Sequence, residues 1–448
     1  MERLSGYRGV LREKLESADL EIGDAVKVES RGFTYTGTLM PRSELDDDKH
    51  LVVKLASGYN VGIRFESTTT HIIRLGQARK PSHAPTSLPA PSPSLPKVSI
   101  LGTGGTIASR VDYFSGRVYP ATSAGDLYSV VPELSDTAAI DWEVVYSVFS
   151  EDIAPDHWSE LSGKVAQKIR AGAHGVVITH GTDTMGYSSA ALSFALGDLP
   201  VPVILVGSQR SSDRPSSDAS LNLVAAVTAA ARASFAEVVV AMHGSTSDTD
   251  VFFHRGTKVR KCHTSSRWAF ESVNASPIAR FVDEKLEMLT ENYIHRTSER
   301  QVRLRNHFDS RVSLLKFHPG MNPELIDWMV DAGYRGIVLE GTGLGHVSQT
   351  VFDSIRKAVD HGVVVAMTSQ CIWGRVHMKV YRTGLMLLRI GVIPLEDMLS
   401  ETALVKLMWS LGQAEGAAEV TRLLTTDVAW EIAPRTLYGE MPKAWTKQ

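Results

Sequence analysis

Leu101-Gly-Thr-Gly-Gly-Thr-Ile-Ala108 and Thr179-His-Gly-Thr-Asp-Thr-Met185 each follow an apolar run of strand character, Val98–Leu101 and Gly175–Ile178. Each ends in hydroxyl residues on a glycine-rich turn. Strand, tight turn and helix make up the repeating unit of an open α/β sheet. Such sheets hold their ligands outside the carboxyl ends of the strands. Thr106 and Thr182 therefore stand where a nucleophile could act.

The same rhythm continues beyond these two runs. Apolar, β-rich stretches recur at Val201–Val206, Val238–Met242, Val312–Leu315, Gly336–Leu339 and Val363–Met367. Helical stretches lie between them: His157–Ala171, Ser188–Leu196, Ala219–Ser234, Pro323–Ala332, Thr350–Asp360 and Glu401–Leu411. This alternation predicts an α/β body with parallel sheets covered on both faces. A larger lobe carrying the threonines is expected over 97–310 and a smaller one over 311–425. The more polar Glu271–Arg311 reads as a crossover. Its arginines (296, 300, 303, 305, 311) read as a solvated face, with a partner or tRNA contact as the lesser reading.

Ahead of the body, residues 77–96 read QARKPSHAPTSLPAPSPSLP. Proline and serine dominate, so this is an extended, semi-rigid linker. Residues 1–76 open with a helical stretch, Leu4–Glu16. Four short strands follow, Ala25–Glu29, Phe33–Leu39, His50–Leu55 and Asn60–Phe65, which suggest a small β-barrel. This module carries 11 Lys/Arg against 12 Asp/Glu. Charge-driven RNA binding by it alone is poorly supported, and a docking or spacer role fits better. Residues 426–448 form a C-terminal tail with no clear pattern.

Composition narrows the function. The chain has 448 residues, 43% apolar and 22% charged, with net charge −3. That is a globular composition and argues against a general polyanion binder. Two cysteines, Cys262 and Cys371, offer no metal-ligand spacing, which suits a reducing, cytoplasmic setting. No signal peptide and no membrane-spanning run is expected. The glycine turns do not complete a nucleotide motif. Ile107 stands where the last glycine of GxGxxG belongs after Gly102 and Gly104, and His346 does so after Gly341 and Gly343.

The hydroxyls need activation. A threonine is a weak nucleophile until a nearby base takes its proton. Thr106 opens a helix whose N–H groups can hold an oxyanion, or it caps that helix. Thr182-Asp183 pairs a hydroxyl with a carboxylate, or supplies an N-cap near Gly186. A lysine can act as the base. Candidates lie in His254–Thr264, where spacing alone does not choose Lys258 over Lys261. For most lysines there, the plain reading is a solvated surface.

These residues carry a resemblance. GTGGTIAS, Tyr119, HGTDTM, Gly207–Arg210 through Ser217–Asn222 and the Lys261 segment are similar, in order, to L-asparaginases and related amidohydrolases. The match spans 97 to about 425 and implies an asparaginase-like two-lobed body. The N-terminal module, the linker and Ser369–Tyr381 resemble more particularly the family of D-type subunits of archaeal glutamyl-tRNA(Gln) amidotransferases.

The resemblance implies roles. Thr106 matches the first catalytic threonine and Tyr119 the tyrosine that assists it. Thr182 and Asp183 match the second threonine and its acid, and Lys261 the catalytic lysine. Ser150 and Glu151 fall where the family holds the α-carboxylate and α-amino groups of the substrate. Asparaginases carry Ser-Gln there, and this chain has Ser-Glu. The acid that asparaginases borrow from a neighbouring protomer has no clear match.

The implied function is a glutaminase component that supplies ammonia for converting Glu-tRNA(Gln) to Gln-tRNA(Gln). Its partner, the E-type subunit, would hold ATP and Mg and make most of the tRNA(Gln) contacts, in an α2β2 assembly around a homodimer. No cofactor is expected in this chain. The alternatives are a free cytoplasmic L-asparaginase and a non-catalytic docking protein with the same fold.

Overall fold

A computed structural model describes residues 3–4, 6–42, 47–55, 60–77, 95–104, 109–111, 118–120, 131, 133–210, 217–246 and 249–436. Thr106 lies outside these residues, and of Tyr119 only the backbone is described.

Residues 78–94 of the expected linker lie outside those described; ahead of it, the helix Gly9–Ser17 precedes five antiparallel strands. These are β1 (Asp24–Ser30), β2 (Phe33–Leu39), β3 (His50–Leu55), β4 (Asn60–Arg64) and β5 (His71–Gln77), in the order β4-β3-β2-β1-β5. β1 alternates buried and half-buried residues, the period of a strand with one face on a core. Its Val26 and Val28 meet Leu11 and Leu15 of the helix. β5 is a strand the sequence reading lacked, because Ile73 and Leu75 point outward and blur its alternation.

The larger lobe opens with β6 (Lys97–Gly102). The short antiparallel pair β7 (Ser109–Val111) and β8 (Val118–Pro120) follows. Next come β9 (Ala139–Val144), β10 (Gly175–Thr179), β11 (Leu196–Gly197), β12 (Val203–Val206), β13 (Val238–His243) and β14 (Asp250–Arg255). β15 (Val259–Lys261), β16 (Phe270–Ser272), β17 (Ala279–Val282) and β18 (Lys285–Met288) complete the set.

Eight of these strands form one sheet, in the order β18-β17-β14-β13-β12-β10-β6-β9. The five from β13 to β9 are parallel, as expected. β14, β17 and β18 extend the other edge antiparallel, so the sheet is mixed. The Glu271–Arg311 segment thus supplies two edge strands and not only a crossover. β18 alternates exposed and half-buried residues, and so shows no buried apolar run to find.

The helix Pro155–Arg170 covers one face of the sheet and Ala219–Arg232 the other. β10 is buried along its whole length. The first strand β6 has β9 on one side and β10 on the other. Strand order therefore reverses between β6 and β10, which is where such sheets open a ligand crevice.

The second lobe follows β19 (Arg303–Leu304), which pairs with β11. Its sheet is parallel, β20 (Val312–Lys316), β21 (Gly336–Gly341), β22 (Val364–Ser369) and β23 (Ile393–Pro394), side by side in chain order. The helix Ser400–Gln413 lies between this sheet and the helix Met185–Ala195 of the first lobe. Val338, Ala366, Leu407 and Trp409 share one core with Ala190, Ala191 and Phe194. The Phe194 and Trp409 rings stack with centroids 5.8 Å apart.

The crossover arginines are not simply solvated. Arg296 donates to the carbonyls of Ala231 (3.1 Å) and His174 (2.6 Å). The Arg305 guanidinium lies 4.7 Å from the Trp409 ring centre. Arg311 pairs with Asp309, and Arg335 joins it there.

The described part of the tail, 426–436, also has a structure. Residues 426–433 form a strap over the seam between the lobes. Thr257 donates to Ala429 O at 2.8 Å, and Arg255 stacks 4.6 Å above the Trp430 ring. On the second lobe, Arg375 donates to Ala433 O, and Ala433 N–H to Asp397 Oδ1 at 2.9 Å. Lys406 and Glu431 form an ion pair with no exposure at all.

Lys258 lies beneath the strap. Its Nζ is 2.7 Å from Asp397 Oδ2, with both side chains no more than 3% exposed. Lys258 is therefore a buried tie between lobes and not the surface lysine the sequence suggested. Burial pulls its ammonium below the usual value, and the Asp397 carboxylate opposes that pull.

Lys258→Ala leaves the Asp397 carboxylate with the Ala433 amide and, among the described residues, no cation nearer than Arg375 at 3.8 Å. The expected loss is about 3 kcal/mol, the low end for breaking a buried pair. Denaturant midpoints measure it, and the paired change Lys258→Met with Asp397→Leu is expected to recover most of the loss. A fully stable Lys258→Ala protein contradicts the buried tie.

Candidate active site

β6 and β10 pair so that Gly102 lies beside Thr179, and β9 places Val144 on the other side of Gly102. Three loops therefore leave one edge together. The Thr103 amide donates to Thr179 O at 3.1 Å, and its hydroxyl donates to the same oxygen at 2.9 Å. The Val148 amide donates to Thr103 O at 3.3 Å. Gly104 has φ +114°, and a Cβ there would stand 2.3 Å from Val148 O. Only glycine fits that approach. The loop bearing Thr106 starts from this point. Tyr119 sits on β8 opposite Arg110 of β7, in the hairpin that follows the same loop.

The loop after β10 carries Thr182 and Asp183. The helix Met185–Ala195 begins just beyond, and its N-cap is Thr184 with no side-chain capping bond. The Thr184 hydroxyl instead donates to Ser150 O at 2.6 Å. A Cβ on Gly181 would lie 2.7 Å from that of Ser150. The loop after β9, with Ser150 and Glu151, is thereby fastened to the loop after β10. Ser150 Oγ lies 3.5 Å from Glu151 Oε2, with Ser150 buried and Glu151 exposed.

Lys261 ends β15 and is held opposite Phe270 of β16. Its Nζ donates to Thr182 Oγ1 at 2.9 Å and to Asp183 Oδ1 at 2.8 Å. The choice that spacing left open is therefore made by geometry: Lys261 meets the hydroxyl and carboxylate, and Lys258 does not. It also sets aside the reading of Asp183 as a helix cap. The lysine side chain is 14% exposed and the aspartate 68%. The cation is enclosed, while the carboxylate faces solution, where an incoming ammonium can reach it. Ser150, Glu151, Thr182, Asp183 and Lys261 converge here. Among the described residues, no group of His, Cys, Asp and Glu could hold a metal ion.

Sequence reasoning missed the supports. His180 is buried directly before Gly181. Its Nδ1 lies 2.6 Å from Gly181 O, and its Nε2 2.8 Å from Ser188 Oγ. A carbonyl only accepts, so Nδ1 carries the proton and Nε2 accepts from Ser188. Trp158 Nε1–H donates to the same Ser188 oxygen at 3.0 Å. This neutral chain fixes the turn on which Thr182 rides. Asp218 accepts from the amides of Gln209 and Arg210 and from Asn222 Nδ2, shaping the loop after β12. His180 and Asp218 both stand inside the matched runs, but nothing in their spacing revealed these bonds.

Comparison with known proteins fits this geometry. The profile described as "Asparaginase, N-terminal" matches residues 97–293, and "Glutaminase/Asparaginase C-terminal domain" matches 311–424. "GatD N-terminal domain" matches 20–73. The D-type glutamyl-tRNA(Gln) amidotransferase protein of Pyrococcus furiosus is 49% identical over 432 residues, covering 95% of this chain and 98% of that protein. The chain belongs to the GatD family, the D-type subunits of glutamyl-tRNA(Gln) amidotransferase.

The GatD relative from Methanothermobacter thermautotrophicus is 47% identical over 96% of this chain and 98% of its own length. Among solved structures, the L-asparaginase of Thermococcus kodakarensis superposes with TM-score 0.68 at 32% identity, covering 76% of this chain and all of that one. The body of this family member thus has the amidohydrolase fold of asparaginases, and the GatD relatives extend across nearly the whole chain. Among the described residues, no helix is long and apolar enough to cross a membrane.

Burial pushes His180 down to about 4 and His254 to about 3. An unfolded histidine takes up a proton near pH 6.5, while these two stay neutral in the fold. The unfolded state therefore binds more protons between pH 6.5 and 4, and stability falls as pH falls through that window. Unfolding measured at pH 7 and 4.5 is expected to show a shallower decline for His180→Gln and for His254→Gln than for the parent. Equal slopes contradict the assignment.

Proposed function

We propose that this chain is the glutaminase component of a tRNA-dependent amidotransferase. It hydrolyses the side-chain amide of glutamine and passes ammonia to an ATP-dependent partner that converts Glu-tRNA(Gln) to Gln-tRNA(Gln). The observation that carries the reading is Lys261 bridging Thr182 and Asp183 at the β6–β10 switch point. Near-full-length likeness to GatD proteins supports the setting. On this reading ATP and Mg bind the partner, the E-type subunit, which also makes most tRNA(Gln) contacts. Two copies of each chain assemble around a homodimer of this one.

The residues take the following parts. Ser150 receives the α-carboxylate of glutamine, and Glu151 with Asp183 receives its α-ammonium. Thr106 Oγ attacks the amide carbon, assisted by Tyr119. N–H groups of the glycine-rich turn hold the oxyanion. The Thr106 proton goes to the leaving nitrogen, the C–N bond breaks, and ammonia departs from an acyl-threonine ester. Thr182, Lys261 and Asp183 orient a water and relay its proton as it cleaves that ester, releasing glutamate and restoring Thr106.

A free asparaginase is the second reading, favoured by the match to the entire length of the T. kodakarensis enzyme. That match leaves about a quarter of this chain uncovered, and the strand module has its own matching profile over 20–73. A non-catalytic docking role leaves the Lys261–Thr182–Asp183 arrangement without a purpose.

Ammonia release decides between these readings, measured from glutamine and from asparagine, with and without the partner and charged tRNA. Glutamine hydrolysis dependent on both is expected. Rapid asparagine turnover by the chain alone supports the free enzyme. Thr106→Ala and Thr182→Ala are each expected to abolish release with an unchanged melting temperature. Lys261→Ala is expected to lower it by roughly 10²–10⁴-fold. A fully active Thr106→Ala protein overturns the mechanism.

A further inference from the structure

At the opposite end of β10 from Thr182, the surface opens into a cleft of about 720 Å³. It lies among the segments that enter β10 and β12 and the crossover 296–302. Arg170, His174, Arg296 and Arg300 line it, and among the described residues no carboxylate does. Ile169, Pro200, Val201 and Val302 supply an apolar wall. A volume of this size suits a ligand the size of a nucleotide.

The three arginines lack counter-charges. Among the described residues, none of them reaches a carboxylate, and what they touch is carbonyl oxygen. Arg296 is half-buried and clamped by the carbonyls of Ala231 and His174. Arg300 Nε is buried with no partner. Removing the half-buried Arg296 and Arg300 guanidinium groups from water without an anion is costly, so an anion is the expected complement, and the exposed Arg170 stands at the same cleft. Each guanidinium keeps donors to spare beyond its carbonyl bonds. The linker cannot supply the anion: residues 77–96 hold no Asp or Glu.

We propose that this cleft is a second binding site, for a nucleoside phosphate. The guanidinium groups take the phosphate oxygens, for which their planar fork is suited. The apolar wall takes the ribose and base. The same chemistry is offered by a free nucleotide and by one nucleotide of an RNA chain. The site is remote from the amide-hydrolysing residues and does not depend on the glutaminase reading.

Calorimetric titration of the full chain at low salt tests this, with ATP, pyrophosphate, adenosine and uncharged tRNA as probes. Arg170→Gln and Arg300→Gln are the first variants, because neither side chain braces the fold as Arg296 does. Arg296→Lys adds a conservative third that keeps the charge and loses the fork. Each is expected to weaken binding about tenfold. The first two are expected to keep the parent's melting temperature as well. ATP binding without adenosine binding identifies a free nucleotide as ligand. Binding of tRNA alone, with a salt dependence that flattens in the variants, identifies an RNA chain. No binding by any probe at millimolar concentration overturns the proposal, and so does binding indifferent to all three arginines.

Discussion

Parallel pairing of β6 with β10, with Gly102 beside Thr179, is the constraint on which this protein rests. Adjacent parallel strands end on the same side of a sheet, so their loops must emerge together. Because β9 lies on the far side of β6, strand order reverses at this pair and leaves a crevice there. The described candidate residues are then arranged against that edge. The Thr103 and Val148 hydrogen bonds gather the loops after β6 and β9. Thr184 fastens Ser150 to the loop after β10. Lys261 arrives from an antiparallel hairpin far along the chain and closes the group.

The surroundings act through rigidity. The helix that starts directly after Thr184 runs into the core shared by both lobes, where Phe194 stacks on Trp409. The turn bearing Thr182 is braced from below by the neutral His180–Ser188–Trp158 chain. The hairpin bearing Lys261 starts next to Lys258, whose buried pair with Asp397 ties it to the second lobe. The strap 426–433 covers that pair, and it lies beyond the segment matched by the asparaginase C-terminal profile. The two lobes and the strap therefore position Lys261 jointly.

The enclosed cations show how burial sorts side chains of one type into different work. Lys258 and Lys406 each meet a buried carboxylate and serve the fold. Arg255 meets Glu237, the residue that leads into β13, and stacks on Trp430. Lys261, by contrast, meets a hydroxyl and an outward-facing carboxylate. Type and spacing were the same for Lys258 and Lys261; the resemblance pointed to Lys261, and the three-dimensional partners show the physical difference.

Sequence alone determined the α/β body, the strand-rich module ahead of it and the glycine turns that leave β6 and β10. Buried parallel strands are continuous apolar runs, and tight turns need glycine, so both are written locally. The edge strands β9, β17 and β18 were illegible because half-exposed strands mix polar and apolar residues. So were the lacing of the crossover arginines, the strap and the partners of the two lysines, which spacing left open and only the resemblance told apart. Each of these rests on partners distant in the chain: 79 residues part Lys261 from Thr182, and 139 part Lys258 from Asp397. Only the folded chain brings such groups within hydrogen-bond range. A local pattern records what a residue can do, and the tertiary structure decides which partner it meets.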